Sequence, residues 1–472
     1  MEEDNNGGKI LTGVEGLDRL LAYPELPYLL VVAGHPGAGK TTLASTICYR
    51  KVVDGGSCLY ISFHEDREKL FRYMSKLGLD LAGAESTGRF KYVKLPLSPN
   101  VERIIGDVIS SLIAEGRYDV IVIDSINALL SGVRSDAERR AWLTNYFYSI
   151  PVTMKNLLIL LAEVPFGSER LELGGLDFVA DGIVFLKHRI VDGFLLRILE
   201  VRKARGASIT IAEVPFTITE GRGIEVWTPT ILEYVSEDRG EVRIACKELK
   251  DTWSHLHRGH IINIVYPADS DYIEIILYIL GSAIVNDMKI LMVSYKYSPQ
   301  FLMELLIYRL HRRLGVSIEK AKRLVSERLK AVGINPFAYS VSQLVVREIQ
   351  LVESEKPDVI VFHGVEIPRA IVPIGKHVEE LYNQMNYLKQ RGYLIIRLGA
   401  YTDPLIYRLE SGLADAIVRF KRVGVGENGA MEYEAYIWRR GTAPRILSSD
   451  ALNRCAAEIE EIIKKYAESC CV

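Results

Sequence analysis

The sequence has no apolar run approaching the roughly 20 residues that a membrane-crossing helix requires. Its longest, Ile275 to Val285, reads as a buried helix, and no membrane insertion is expected. Met1-Glu-Glu-Asp-Asn-Asn-Gly-Gly lacks the basic segment and apolar stretch of a secretion signal, which points to a cytoplasmic protein. Cysteine is scarce. Cys48, Cys58, Cys246, Cys455, Cys470 and Cys471 include no Cys-x-x-Cys pair, and the adjacent last two rarely bridge each other, so reduced thiols are expected. Charge of one sign is also lacking: the formal net charge is -2, so nucleic acid binding would need a local basic patch. What is present is the composition of a globular protein, 49% hydrophobic and 25% charged over 472 residues. That length suits two domains, each large enough for its own core.

The strongest local signal lies near the N-terminus. Tyr28-Leu-Leu-Val-Val-Ala33 is a strand-length apolar run of the kind buried on both faces of a parallel sheet. Gly34-His35-Pro36-Gly37-Ala38-Gly39-Lys40-Thr41 follows it and satisfies G-x-x-x-x-G-K-[ST], after which Thr42 and Leu43 to Cys48 continue as a helix. The glycines let backbone N–H groups converge on phosphates, and the helix N-terminus adds partial positive charge. Lys40 suits the β- and γ-phosphates of ATP, and the Thr41 hydroxyl suits Mg²⁺. Asp119-Val-Ile-Val-Ile-Asp124 places a second carboxylate at a strand's C-terminal end, where Asp124 would hold the metal's ligand shell. Nothing in the loop reads the base, so GTP stays open beside ATP.

Thr12-Gly-Val-Glu-Gly16-Leu17-Asp18 and Phe63-His64-Glu65 resemble the entry motif and the Phe-Glu-Glu strand end of the KaiC and RadA branch of the RecA superfamily. The resemblance runs from residue 8 to about 228. It implies that Glu65 polarises the attacking water, a role that needs a carboxylate within hydrogen-bond reach. His64 replaces the first glutamate of the usual pair, which argues for slow turnover and against KaiC-type autophosphorylation. Glu163, ending Asn156-Leu-Leu-Ile-Leu-Leu-Ala-Glu163, is expected to face the site. Lys203-Ala-Arg205-Gly206 is similar to the family's Lys-x-Arg-Gly motif, whose cations reach a neighbouring subunit's γ-phosphate. Two residues apart in a strand, Lys203 and Arg205 are expected on one face.

A second copy follows. Leu291 to Tyr297 aligns with Leu59 to Glu65, Pro357 to His363 with Tyr118 to Asp124, Ala414 to Phe420 with Ala180 to Leu186, and Arg440-Gly441 with Arg205-Gly206. Its first strand, His260 to Val265, runs into Tyr266-Pro-Ala-Asp269-Ser-Asp271, with no glycine cradle or lysine, and the acids would repel phosphate. Tyr297 stands for Glu65 and His363 for Asp124. The expected fold is therefore α/β: two tandem RecA-like domains with mainly parallel central sheets, residues 1–230 and 231–472, the second without nucleotide-binding motifs. At most one ATP per chain is expected.

Three functional readings follow. The first is an ATPase acting at a subunit interface of a homo-oligomer, a ring that the resemblance allows to be a hexamer, in a regulatory or assembly-coupled role. The second is a RadA-like recombination paralogue in which Arg134, Arg139, Arg140 and the loop Pro165 to Leu176 contact DNA. Glu138, Glu169, Glu172 and Asp177 dilute that charge, so DNA is not favoured. The third is a slow switch whose ATP state controls an unknown protein partner. His255, His257 and His260 read as junction histidines, not a metal cluster. The basic residues between Leu305 and Lys330 read as the solvated face of an amphipathic helix pair.

Overall fold

The computed structural model describes residues 12–96, 104–130, 135, 142–171, 175–191, 193–228, 240–253, 256–270, 273–369, 374–425 and 431–469. The chain divides into two compact units, Met1–Thr228 and Pro229–Val472. Both are three-layer α/β structures of the RecA-like kind.

In the first unit the sheet order is β3-β2-β4-β5-β1-β6-β7-β8-β9. Its parallel part comprises β3 (Phe90–Lys94), β2 (Cys58–Ser62), β4 (Val120–Asp124), β5 (Leu157–Glu163), β1 (Tyr28–Gly34) and β6 (Gly182–Val191). β7 (Phe194–Ala204), β8 (Glu213–Thr219) and β9 (Gly223–Val226) extend it antiparallel. The central strands β2, β4, β5 and β1 are apolar on both sides because helices cover both faces. Along β1, Leu30 and Val32 enter one core while Leu29, Val31 and Ala33 enter the other, the alternation a pleated strand imposes. The Thr12 to Asp18 motif is an anchor. Asp18 accepts from the Thr12 amide at 2.7 Å, and Arg50 donates to the carbonyls of Gly13 and Arg222.

The second unit repeats the order as β12-β11-β13-β14-β10-β15-β16-β17. These are β10 (Ile261–Tyr266), β11 (Ile290–Ser294), β12 (Leu329–Gly333), β13 (Val359–His363), β14 (Leu394–Ala400), β15 (Ala416–Val425), β16 (Met431–Arg439) and β17 (Arg445–Leu447). The apolar run Ile275 to Val285 lies in a buried helix, Ile273–Val285. The basic stretch forms the helices Pro299–Leu314 and Ile318–Arg328, but Lys330 falls in β12, so the helical pattern ends earlier than expected. Among the described residues no helix is long and apolar enough to cross a membrane.

The expectation of reduced thiols is corrected. Cys48 is bonded to Cys58, and Cys246 to Cys455. Spacing carried no signal for either pair. The first forms because the chain turns back from the helix Lys40–Val53 into β2, bringing the Cα atoms to 5.6 Å. The second joins residues 209 apart in sequence at a Cα separation of 5.1 Å, inside the core of the second unit. Cys470 and Cys471 lie outside the described residues.

Candidate functional site

The loop after β1 has the backbone its glycines permit. Gly37 and Gly39 have φ of 72° and 107°, which side chains rarely adopt, and a Cβ on Gly34 would collide with the Leu186 carbonyl. Pro36 and Gly37 are exposed, Ala38 and Lys40 are buried, and Thr41 and Thr42 are half-buried at the start of the helix Lys40–Val53. Lys40 Nζ donates to the carbonyls of Gly34 and His35, each at 3.0 Å. Burial pushes its pKa down, opposed by the charges of Glu163 and Asp124. His35 is fixed sideways, with Nε2 2.9 Å from the Ser168 carbonyl and its ring edge-on to Phe185.

Asp124, at the end of β4, is brought to this loop as expected. Its Oδ2 accepts from Thr41 Oγ1 at 3.1 Å and from Tyr60 OH at 2.7 Å. Burial pushes the Asp124 carboxyl up, and these hydrogen bonds together with Lys40 oppose that. Tyr60 was not anticipated. The available signal was a tyrosine inside an otherwise aliphatic buried strand, where its hydroxyl needs a partner. Ser125 Oγ, beside Asp124, is buried without a hydrogen-bond partner, a polar atom of the kind a hydrated metal would satisfy. Glu163 also reaches the site electrostatically, and Asn127 clamps its backbone at both N–H (2.7 Å) and C=O (3.1 Å).

Glu65 sits just past β2, in a turn where Ser62 Oγ accepts from the amides of His64 and Glu65 at 3.4 and 3.2 Å. Its carboxylate is paired with Lys69 at 3.1 Å, and Tyr92 OH donates to its carbonyl at 2.8 Å. His64 is exposed. The expected strand placement of Lys203 and Arg205 needs amending: β7 ends at Ala204, and Arg205 lies in the following turn. Both still converge on one point. Lys203 Nζ and Arg205 Nη2 donate to the Phe178 carbonyl at 3.0 and 2.8 Å, and Arg205 Nη1 pairs with Asp181 at 3.0 Å. Asp181 in turn accepts from the Leu29 amide at 2.9 Å. Arg134, Glu138, Arg139, Arg140 and Glu172 lie outside the described residues, as does the side chain of Asp177.

Residues 10–231 match the family model described as "ATPase: KaiC". The N-terminal unit is thus similar to KaiC-type ATPase domains. The chain is 25% identical to circadian clock protein KaiC3 of Synechocystis over 254 residues, 52% of this chain and 50% of the relative. It is 28% identical to a UPF0273 protein of Methanocaldococcus jannaschii over 245 residues, 48% of this chain and 98% of the relative. A UPF0273 protein of Pyrococcus horikoshii is 26% identical over 251 residues, 48% of this chain and 96% of the relative. The chain thus spans about half the length of the KaiC3 relative it matches.

The second unit keeps the framework of the first with different side chains at the corresponding site positions. Ser294 Oγ accepts from the amides of Lys296 and Tyr297 at 3.4 and 3.1 Å, the turn that Ser62 makes in the first unit. Asp415 accepts from the Ile261 amide at 3.0 Å as Asp181 does from Leu29. The amide of Arg440 donates to the Asp415 carbonyl at 2.8 Å as that of Arg205 does to Asp181. At the end of β13, however, stands His363, fully buried, 3.2 Å from Ser294 Oγ and pushed down to about 4 by burial. In the stretch after β10, Asp269 pairs with Arg422 at 2.8 Å, and Asp271 lies outside the described residues. His257 and His260 contact each other, and among the described residues no group of three potential metal ligands occurs.

Proposed function

We propose that the N-terminal unit binds ATP with Mg²⁺ and hydrolyses it slowly to ADP and phosphate at an interface between copies of the chain. The observation that carries this reading is the convergence of Lys40, Thr41 and Asp124 around a glycine-built loop at the end of a parallel strand. In it the amides of residues 34 to 39 and the helix N-terminus take the phosphates, and Lys40 exchanges its two carbonyl partners for phosphate oxygens. Thr41 and Asp124 hold the metal, with Tyr60 fixing the carboxylate. Bound Mg²⁺ would supply charge neutralisation on the phosphates. Glu65 accepts the proton of the attacking water, and its ion pair with Lys69 supports slow turnover by holding that carboxylate away from free rotation.

Lys203 and Arg205 act on a neighbour's γ-phosphate, stabilising charge that builds in the transition state. Their half-exposed placement at a common point favours this, and the reach requires giving up the Phe178 and Asp181 contacts. A regulatory or assembly-coupled role is the most economical use of slow, interface-dependent turnover. The test is complementation. Lys40→Ala and Arg205→Ala proteins, each inactive alone, should regain turnover when mixed, because one supplies an intact loop and the other an intact arginine. No recovery from well-assembled mixtures removes the trans role.

A further inference from the structure

The two units differ on the sheet face opposite the helix that follows the first strand. In the first unit Val31 and Leu160 are register partners on β1 and β5, both fully buried in an aliphatic core. By strand order and register their counterparts on β10 and β14 are Asn263 and Arg397, again partners, with only 2% and 6% of their surface exposed. A cation has replaced a core leucine, a change that burial makes costly unless every hydrogen-bonding group is met.

The groups around Arg397 do not meet them all. Arg397 Nη2 donates to Glu410 Oε1 at 3.0 Å, but the same carboxylate also receives Arg369 Nε at 2.7 Å and lies 3.0 Å from His377 Nε2. One buried carboxylate, held down to about 2 chiefly by Arg397 against its own burial, thus serves two guanidinium groups. Glu348 is occupied by Tyr295 OH at 2.5 Å and by Gln384, and burial pushes it up to about 7, so it carries less than its full negative charge at neutral pH. Glu380 accepts from Ser342 Oγ at 2.7 Å. Arg397 Nε is left without a hydrogen-bond partner, and so is Asn263 Oδ1. An unmet buried donor on a charged group is costly to the fold unless a ligand meets it.

Arg397 lines a cavity of about 50 Å³ between β14 and the helices Val341–Glu355 and Ile374–Gln390. That volume holds roughly 3–5 non-hydrogen atoms at about 10–15 Å³ each. Tyr295, Gln384 and the carboxyls of Glu348 and Glu380 share its polar side, and Leu344, Val345 and Leu381 form an apolar wall. A guanidinium with a spare N–H, facing aliphatic side chains in a space of this size, suits a carboxylate bearing a short alkyl chain. We propose that the C-terminal unit binds a short-chain carboxylate in this pocket, through Arg397. The half that lacks a phosphate site thereby has a ligand site of its own, on the other face of its sheet.

The experiment is calorimetric titration of the full-length protein with sodium propionate against matched sodium chloride. Saturable binding of one propionate per chain is expected. Arg397→Met should weaken it about tenfold or more. Val345→Phe, which fills the cavity and leaves the arginine–carboxylate contacts in place, should abolish it while ATP binding by the same sample stays unchanged. Absence of saturable binding beyond chloride, or binding that survives Val345→Phe, overturns the proposal. So does a crystal grown with propionate whose pocket holds only water.

Discussion

The ends of β4 and β13 occupy the same place in two copies of one sheet, and the contrast between them separates what the fold needs from what the chemistry needs. At β4 a buried carboxylate, Asp124, is tolerated because Tyr60, Thr41 and Lys40 surround it. At β13 the same place is held by a buried histidine beside Ser294, whose pKa burial pushes down to about 4. The residues that hold the strands in register are common to both halves: Ser62 and Ser294 in the turn, and Asp181 and Asp415 under the first strand. The framework contacts and the residues of the proposed phosphate site are different side chains, and the second unit has the former with His363 in the place of Asp124.

That separation can be broken most sharply at Lys40. Lys40→Ala should weaken ATP binding by about 100-fold or more, equivalent to ~2.7 kcal/mol, with no loss of folded structure. Calorimetric titration and circular dichroism check this together; a fold that collapses with the lysine would join what the comparison divides. The framework residues should behave in the opposite way. Asp181→Ala and Asp415→Ala each strip a partner from a first-strand amide and from a cation, and each should cost about 2–3 kcal/mol in denaturant unfolding. A variant of Asp181 that kept full stability and lost only turnover would place this aspartate with the chemistry.

The entry motif offers a test with a sign. Burial raises the Asp18 carboxyl from 3.8 to about 6, so the folded protein binds a proton more readily than the unfolded chain between those values. Asp18 therefore contributes most below pH 3.8, and that contribution falls away as pH rises through about 6. Asp18→Asn keeps an acceptor for the Thr12 amide and should flatten the decline by on the order of 2 kcal/mol. Urea unfolding at a series of pH values reads it, and parallel curves for the two proteins would contradict it. A smaller effect is expected at Tyr60. Tyr60→Phe removes a donor to Asp124, and at ~1 kcal/mol the Mg²⁺-dependent part of ATP affinity should drop several-fold, more so at acidic pH where the carboxyl already favours its proton. Equal affinities at all pH values would assign Tyr60 to packing alone.

Much of this molecule was legible before any coordinates. The P-loop and Asp124 rest on local order, an apolar strand length followed at once by a fixed motif, and the structure places both at strand ends of one sheet; the repeat rests on aligned segments, and the two sheets share one strand order. What stayed hidden depends on contacts between residues distant in sequence. Tyr60 meets Asp124 because β2 and β4 are neighbours, Cys246 meets Cys455 across 209 positions, and Arg397 reads as one charged residue in an apolar run until Arg369, His377 and Glu410 close on it. Arg205 was expected in a strand because the motif alone does not show where β7 stops. The disulfides also bear on compartment, since such bonds are rare in cytosolic proteins outside hyperthermophiles.

In the proposed reading each chain has one working site, completed by a neighbour. Native mass spectrometry of Glu65→Gln protein with Mg²⁺ and ATP tests it most directly, because a chain that binds without hydrolysing should hold nucleotide and assembly together. Assemblies of several chains carrying one nucleotide per chain are expected. Two nucleotides per chain would restore a site to the second unit, and nucleotide held tightly by single chains would remove the interface.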